Sequence, residues 1–74
     1  MKIDNIIKEW DPYSLFPFAP EDEYKDEISR IKTYIKRNQS LDGLTKYLGK
    51  IFDIDIIFEE EKKNFFKIAK KILD

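Results

Sequence analysis

The acidic residues are grouped in a way that invites chemistry. Asp11, Glu21, Asp22, Glu23, Asp26 and Glu27 fall within one short stretch of the chain, and carboxylate oxygens are the ligands that Mg²⁺ and Ca²⁺ prefer. Asp11 and Asp22 also stand among aromatic side chains able to stack on a ring. A general acid and base of the kind used in glycoside hydrolysis is therefore the enzymatic reading. Two observations weigh against the cation site. The cluster lacks the alternating acidic spacing and glycine of a calcium-binding loop. Glu21, Asp22 and Glu23 also have a simpler role at a helix start, where negative charge meets the positive end of the helix dipole. The chain contains no His and no Cys, which excludes zinc fingers, thiol nucleophiles, imidazole bases, a Ser-His-Asp triad and disulfides. Its two glycines, Gly43 and Gly49, lie in an apolar helical pattern and form no phosphate-binding loop. The expectation is a protein with no catalytic residues, no metal and no cofactor.

The elements that would position these residues belong to one small domain. The chain has 74 residues, too few to build a core and leave a deep pocket beside it. Ordering it costs roughly 1.5 kcal/mol per residue, which apolar burial must nearly cancel. Without disulfides, the six Phe, four Tyr and one Trp are the available compensation, each able to bury roughly 150–250 Å². With 42% hydrophobic residues the chain is too apolar to be disordered.

Apolar periodicity predicts helices. Ile3, Ile6, Ile7 and Trp10 form one stripe over residues 2–10, and Asp11-Pro12 ends that helix. Residues 11–20 hold all three prolines together with Tyr13, Leu15, Phe16 and Phe18. A solvated linker would not carry so many large apolar side chains, so the segment reads as a stiff, ordered connection laid across the helices. In it, Asp11 is placed to cap a turn with Ser14, and Tyr24 to bury its ring with its hydroxyl on backbone.

A second helix is expected from Pro20 at its first position to Asn38 as a left-handed stop. Its stripe is Tyr24, Ile28, Ile31 and Ile35, with Tyr34 beside it. Ser40 reads as the N-cap of a third helix over residues 41–52, whose inner face is Leu41, Leu44, Leu48, Ile51 and Phe52. Either glycine in it marks a close helix approach, or Gly49 ends the helix early. Residues 53–58 alternate like a strand, but a lone strand has no partner here. They are expected to be a connection with its isoleucines buried. A last helix is expected over residues 58–73, with Phe58, Phe65, Phe66, Ile68, Ala69, Ile72 and Leu73 as its apolar residues, Glu59, Glu60 and Glu61 early and Lys67, Lys70 and Lys71 late. The whole chain, residues 1–74, thus reads as an all-α compact bundle of about four helices.

Charge is uneven. Residues 1–27 carry three basic and eight acidic groups, residues 28–50 six basic and one acidic, and the chain sums to −1. This balance lacks the strongly basic footprint of a nucleic-acid binder. Dipole matching and attraction between the first third and the middle account for the segregation. The alternative is a basic face of Arg30, Lys32, Lys36, Arg37, Lys46 and Lys50 for an anionic partner. No apolar run is long enough to span a bilayer, and the first nine residues lack the apolar core of a signal peptide. No membrane association and a cytoplasmic location are expected.

The stretch Trp10-Asp11-Pro12-Tyr13-Ser14-Leu15-Phe16-Pro17-Phe18-Ala19-Pro20-Glu21-Asp22-Glu23-Tyr24, followed by Glu27-Ile28, resembles the signature of the YugE-like family of small bacterial proteins. Members share a Trp-Asp-Pro segment, an Ala-Pro-x-Asp-Glu-Tyr segment and a helix opening just after. Leu44-x-x-Tyr47-Leu48-x-x-Ile51-Phe52 fits the same family more loosely. This chain departs from the pattern at Ser14, where the family implies glycine. The resemblance implies a small all-helical fold and brings no activity with it.

The functional expectation is a non-catalytic protein-interaction module. Its partner-binding residues are Trp10, Asp11, Tyr13, Phe16, Phe18, Asp22 and Tyr24, since aromatic anchors dominate binding energy at protein interfaces. The competing reading has these residues only complete a small core. Alternative functions are an inhibitor of the immunity or anti-defence type that blocks one target protein, a homodimer packed through the aromatic segment and, less favoured, a metal-dependent or carboxylate enzyme.

Overall fold

The computed structural model describes residues 2–20 and 22–74. Four α-helices form the architecture: α1 (Lys2–Trp10), α2 (Lys25–Arg37), α3 (Leu41–Ile51) and α4 (Phe65–Leu73). A 3₁₀ turn, Glu60–Lys63, precedes the last of them. The described residues form no strand. The bundle is all-α, as the periodicity requires.

Each stripe becomes a buried face. Ile3, Ile7 and Trp10 of α1, Ile28 and Ile31 of α2, Leu44 and Leu48 of α3, and Ile68, Ala69 and Ile72 of α4 meet in one core with Tyr24 and Phe52. Ser40 caps α3 as expected: its backbone is extended and its Oγ accepts from Gly43 N–H at 3.1 Å. Helix α3 runs through Gly49, where an added Cβ would meet the Phe65 ring only at an ordinary van der Waals distance of 3.6 Å. Gly43 marks the close approach. A Cβ there would lie 2.7 Å from Tyr34 Oη, so the missing side chain lets α2's tyrosine cross α3. Between α1 and α2, Lys32 Nζ pairs with Asp4 Oδ1 at 3.0 Å, an instance of the attraction between the acidic first third and the basic middle. The hydrogen bond from Lys32 holds the Asp4 carboxyl below its ordinary pKa.

Several boundaries differ from the sequence expectation, each for a local reason. Helix α2 starts at Lys25 rather than Pro20. The chain before it spends its hydrogen bonds in tight turns, Glu23 N–H to Pro20 C=O and Lys25 N–H to Asp22 C=O, and Tyr24 lies outside helical geometry at φ −99°, ψ 17°. Asp22 and Glu23 therefore precede the helix, and Glu21 lies outside the described residues; the acids of the first turn are Asp26 and Glu27. Asn38 is extended at φ −135°, not a left-handed stop. Helix α4 starts at Phe65 rather than residue 58, because Asn64 caps it with an Oδ1 that accepts from Lys67 N–H at 3.2 Å. Asn is among the strongest N-caps. Glu59 precedes the 3₁₀ turn and Glu60 and Glu61 sit within it, not in a helix start. Finally, the connection over residues 53–58 buries only Ile57 of its isoleucines; Ile54 and Ile56 are about half exposed. Two residues expected on the inner face of the last helix are not there: Phe58 lies before α4 and is 81% exposed, and Phe66 is half exposed.

These placements set opposite outcomes for two apolar truncations. Leu48, fully buried, when changed to Ala is expected to cost about 2–5 kcal/mol, much of the stability of a chain this size. Ile54→Ala is expected to stay within about 0.5 kcal/mol. Urea unfolding followed by circular dichroism checks both.

Candidate functional site

The connection between α1 and α2 is built on one carboxylate. Asp11 follows Trp10 directly, is buried at 9% exposure, and has left-handed backbone at φ 43°, a region Asp tolerates better than most residues. Its Oδ1 accepts from Leu15 N–H at 2.9 Å and from the Tyr24 hydroxyl at 2.6 Å, and its Oδ2 accepts from Phe16 N–H at 3.1 Å. The Tyr24 hydroxyl accepts in turn from Tyr13 N–H at 3.1 Å. Ser14, which donates its N–H to Asp11 C=O at 2.9 Å, has φ 55°, the left-handed region that favours glycine. The Phe16–Pro17 peptide bond is cis.

The connection between α3 and α4 closes onto this turn. Lys62, in the 3₁₀ turn, donates from Nζ to Asp11 C=O at 2.8 Å and to Ser14 Oγ at 3.1 Å. Trp10 Nε1 donates to Lys62 C=O at 2.9 Å, and Asp53 N–H donates to the Tyr13 hydroxyl at 2.8 Å. Around these bonds the rings pack edge to face. Trp10 meets Phe52 and Phe65 with centroids 5.0 and 5.8 Å apart, Tyr13 meets Phe52 at 5.8 Å, and Phe16 meets Tyr24 at 5.7 Å. Such geometry contributes about 0.5–1.5 kcal/mol per pair beyond area burial.

Electrostatics follow from the partners. Burial pushes the Asp11 carboxyl up, but the hydrogen bonds from Tyr24, Leu15 and Phe16 and the charge of Lys62 outweigh it, and its pKa lies below the ordinary value. Burial and the Asp11 carboxylate push the Tyr24 hydroxyl up. Both shifts favour ionised Asp11 and neutral Tyr24, the pair the hydrogen bond requires.

The sequence-derived site residues separate into two groups. Trp10, Asp11 and Tyr24 are buried, and Tyr13 and Phe16 are half-buried against them; these five form the frame. Phe18 is 95% exposed, and Asp22 is exposed at a groove between α1 and α2 that Asp4 and Lys8 also line. Asp11 does not line that groove, so the two carboxylates proposed as an acid–base pair lie in separate environments. Among the described residues no group of three or more carboxylates is placed to hold a metal ion, and none of the helices is long and apolar enough to cross a membrane. Lys62 has no local sequence signal, because its targets lie 48 and 51 residues away. Tyr34 and Tyr47 stack with centroids 4.3 Å apart and planes at 12°; the one hint in the sequence is that each tyrosine flanks its helix's apolar stripe. No protein-family model, curated protein or solved structure matches the chain.

Two measurements test the Asp11 frame. Asp11→Asn is expected to cost about 1–3 kcal/mol at pH 7. Because the folded pKa of Asp11 is lowered, its contribution is full above the unfolded value near 3.9 and fades as pH falls further. The gap between wild type and Asp11→Asn should therefore narrow below about pH 4. The raised Tyr24 pKa has the opposite sign: its contribution is full below about pH 10 and fades above it. Tyr24→Phe should remove that alkaline loss. Denaturant midpoints across pH read both effects.

Proposed function

We propose that the protein is a small, non-catalytic protein-interaction module of the bacterial cytoplasm, related to the YugE-like family its 10–28 segment resembles. Its contact surface is the Pro/aromatic connection, with Phe18 as anchor and Asp22 as a charged neighbour in sequence. Trp10, Asp11, Tyr13, Phe16 and Tyr24 serve as the frame that shapes this surface.

The observation that carries this reading is Phe18, an aromatic side chain 95% exposed on a connection pinned at both ends of its turn. Pro17 is exposed with it, while Phe16 and Ala19 on either side of the pair are partly buried, so the segment holds its neighbouring ring inward and turns this one outward. A ring presented on preordered backbone loses little conformational freedom on binding, and large aromatic side chains are the usual anchors of interfaces. Ile54, Ile56 and Phe58 add exposed apolar surface on the connection that Asp53 ties to Tyr13. Exposed apolar surface of this kind marks contact sites.

Phe18→Ser separates contact from scaffold. Its thermal stability should match wild type within about 0.5 kcal/mol, while capture of a binding protein by the tagged chain from its host's lysate should fall on the order of tenfold or more. Equal capture by both proteins rejects this segment as the contact surface.

A further inference from the structure

On the α2–α3 face the structure assembles a feature that the connection does not use. Arg30, Tyr34 and Arg37 follow at i, i+4 and i+7 along α2, and Gly43, Tyr47 and Lys50 at i, i+4 and i+7 along α3, with Lys46 beside Tyr47; such spacings share one helix face. The two faces are joined by the Tyr34–Tyr47 stack. On one side of the stack lies a groove lined by Arg30, Thr33 and Arg37; on the other lies a groove lined by Gly43, Lys46 and Lys50, and both tyrosines line both grooves. None of the described lining residues is acidic. Arg30, Arg37, Lys46 and Lys50 are all exposed, while the tyrosines are half-buried. Of the nearby acids in sequence, Asp42 meets Lys46 only at 3.7 Å, with both side chains more than 80% exposed, a pair that contributes little. Asp26 and Glu27 lie one turn before Arg30 at the start of α2, outside both grooves.

We propose that this basic, tyrosine-centred face docks a short acidic segment of a partner protein. Charge complementarity selects the class of ligand: four exposed cations surround two aromatic rings whose hydroxyls and positive edges also suit carboxylates. Arginine forks bind carboxylates in two-point fashion, and Arg30 and Arg37 are spaced by about 10 Å along the helix axis, the reach of about three extended residues. A nucleic-acid strand fits less well. Its charge continues every 3.4 Å or so beyond the patch, and a chain of net charge −1 lacks the strongly basic footprint that such a ligand needs. An acidic peptide segment meets the patch alone.

The test uses a fluorescently labelled tetraglutamate peptide and, as the competing polyanion, a labelled oligothymidylate with the same number of charges, each titrated into the intact protein at low and at physiological salt. Amide and tyrosine ring resonances are followed by NMR. The expected result is peptide binding that weakens with salt, with shifts centred on Tyr34 and Tyr47, at least tenfold weaker in Arg30→Glu/Arg37→Glu and unchanged in Phe18→Ser. Both arginines are exposed, so the charge-reversed protein should keep its helical circular dichroism; Lys46→Gln/Lys50→Gln is a second, milder variant expected to weaken binding several-fold. Tighter binding of the oligothymidylate would overturn the choice of ligand. Shifts away from the two tyrosines, equal binding by the charge-reversed variant, or a doubling of mass at low salt that the reversal abolishes would overturn the site or its occupant. Because Phe18 is intact in the basic-face variants, failure here leaves the Phe18 surface to be judged on its own experiment.

Discussion

A single buried carboxylate holds the connections of this bundle in register. Asp11 sits where α1 stops, in left-handed backbone that costs about 1–2 kcal/mol for a side-chain-bearing residue. Its oxygens offset that cost by accepting two backbone N–H groups of the turn it begins and the hydroxyl of a tyrosine from the start of the next helix. A buried charge is tolerable only when paired and hydrogen-bonded. Here the donors come from sequence positions 4, 5 and 13 residues away, so satisfying one charge fixes the path of the whole connection. Lys62 then draws the 3₁₀ turn onto the same backbone.

Around this polar center the aromatic side chains supply what a short chain lacks in core volume. Trp10, Tyr13, Tyr24 and Phe52 make edge-to-face or tilted contacts with one another, and each ring with a polar atom uses it: Trp10 Nε1 on Lys62, the Tyr13 hydroxyl on Asp53 N–H, the Tyr24 hydroxyl on Asp11. The rings bury the Tyr24–Asp11 hydrogen bond, and the hydrogen bonds orient the rings. Buried polar networks of this sort rigidify when every member is satisfied. Rigidity in turn makes exposed Phe18 a defined feature of the surface.

The molecule therefore divides its labour between two regions. The first third, acidic overall, is consumed in building and displaying the Pro/aromatic connection. The middle, basic overall, forms a face on α2 and α3 that spends Lys32 on α1 through Asp4 and leaves Arg30, Arg37, Lys46 and Lys50 exposed around the stacked tyrosines. Gly43 is the residue that permits this stack, since any side chain there would collide with the Tyr34 hydroxyl.

The extents of α1 and α3, the Ser40 cap and the inward faces of the first three helices were legible in the sequence, because apolar period and cap chemistry act within a turn or two of the chain. On α4 the period found Ile68, Ala69 and Ile72 but also pointed to Phe66, which is half exposed. The presence of an ordered connection was legible too, since residues 11–20 carry too many large apolar side chains to be a solvated linker. The late starts of α2 and α4 were less so. Pro20 and three acids satisfy every local rule for a helix start, yet Tyr24 is held off helical geometry where its hydroxyl meets Asp11. Glu59, Glu60 and Glu61 likewise suit an earlier start for the last helix, but the side-chain cap at Asn64 sets that start at Phe65. Which isoleucines of residues 53–58 go inside, that Lys62 reaches back to Asp11 and Ser14, and that Tyr34 and Tyr47 stack were decided by tertiary structure alone. Each depends on contacts between residues distant in the chain, and a local pattern carries no information about which distant surface will arrive to meet it.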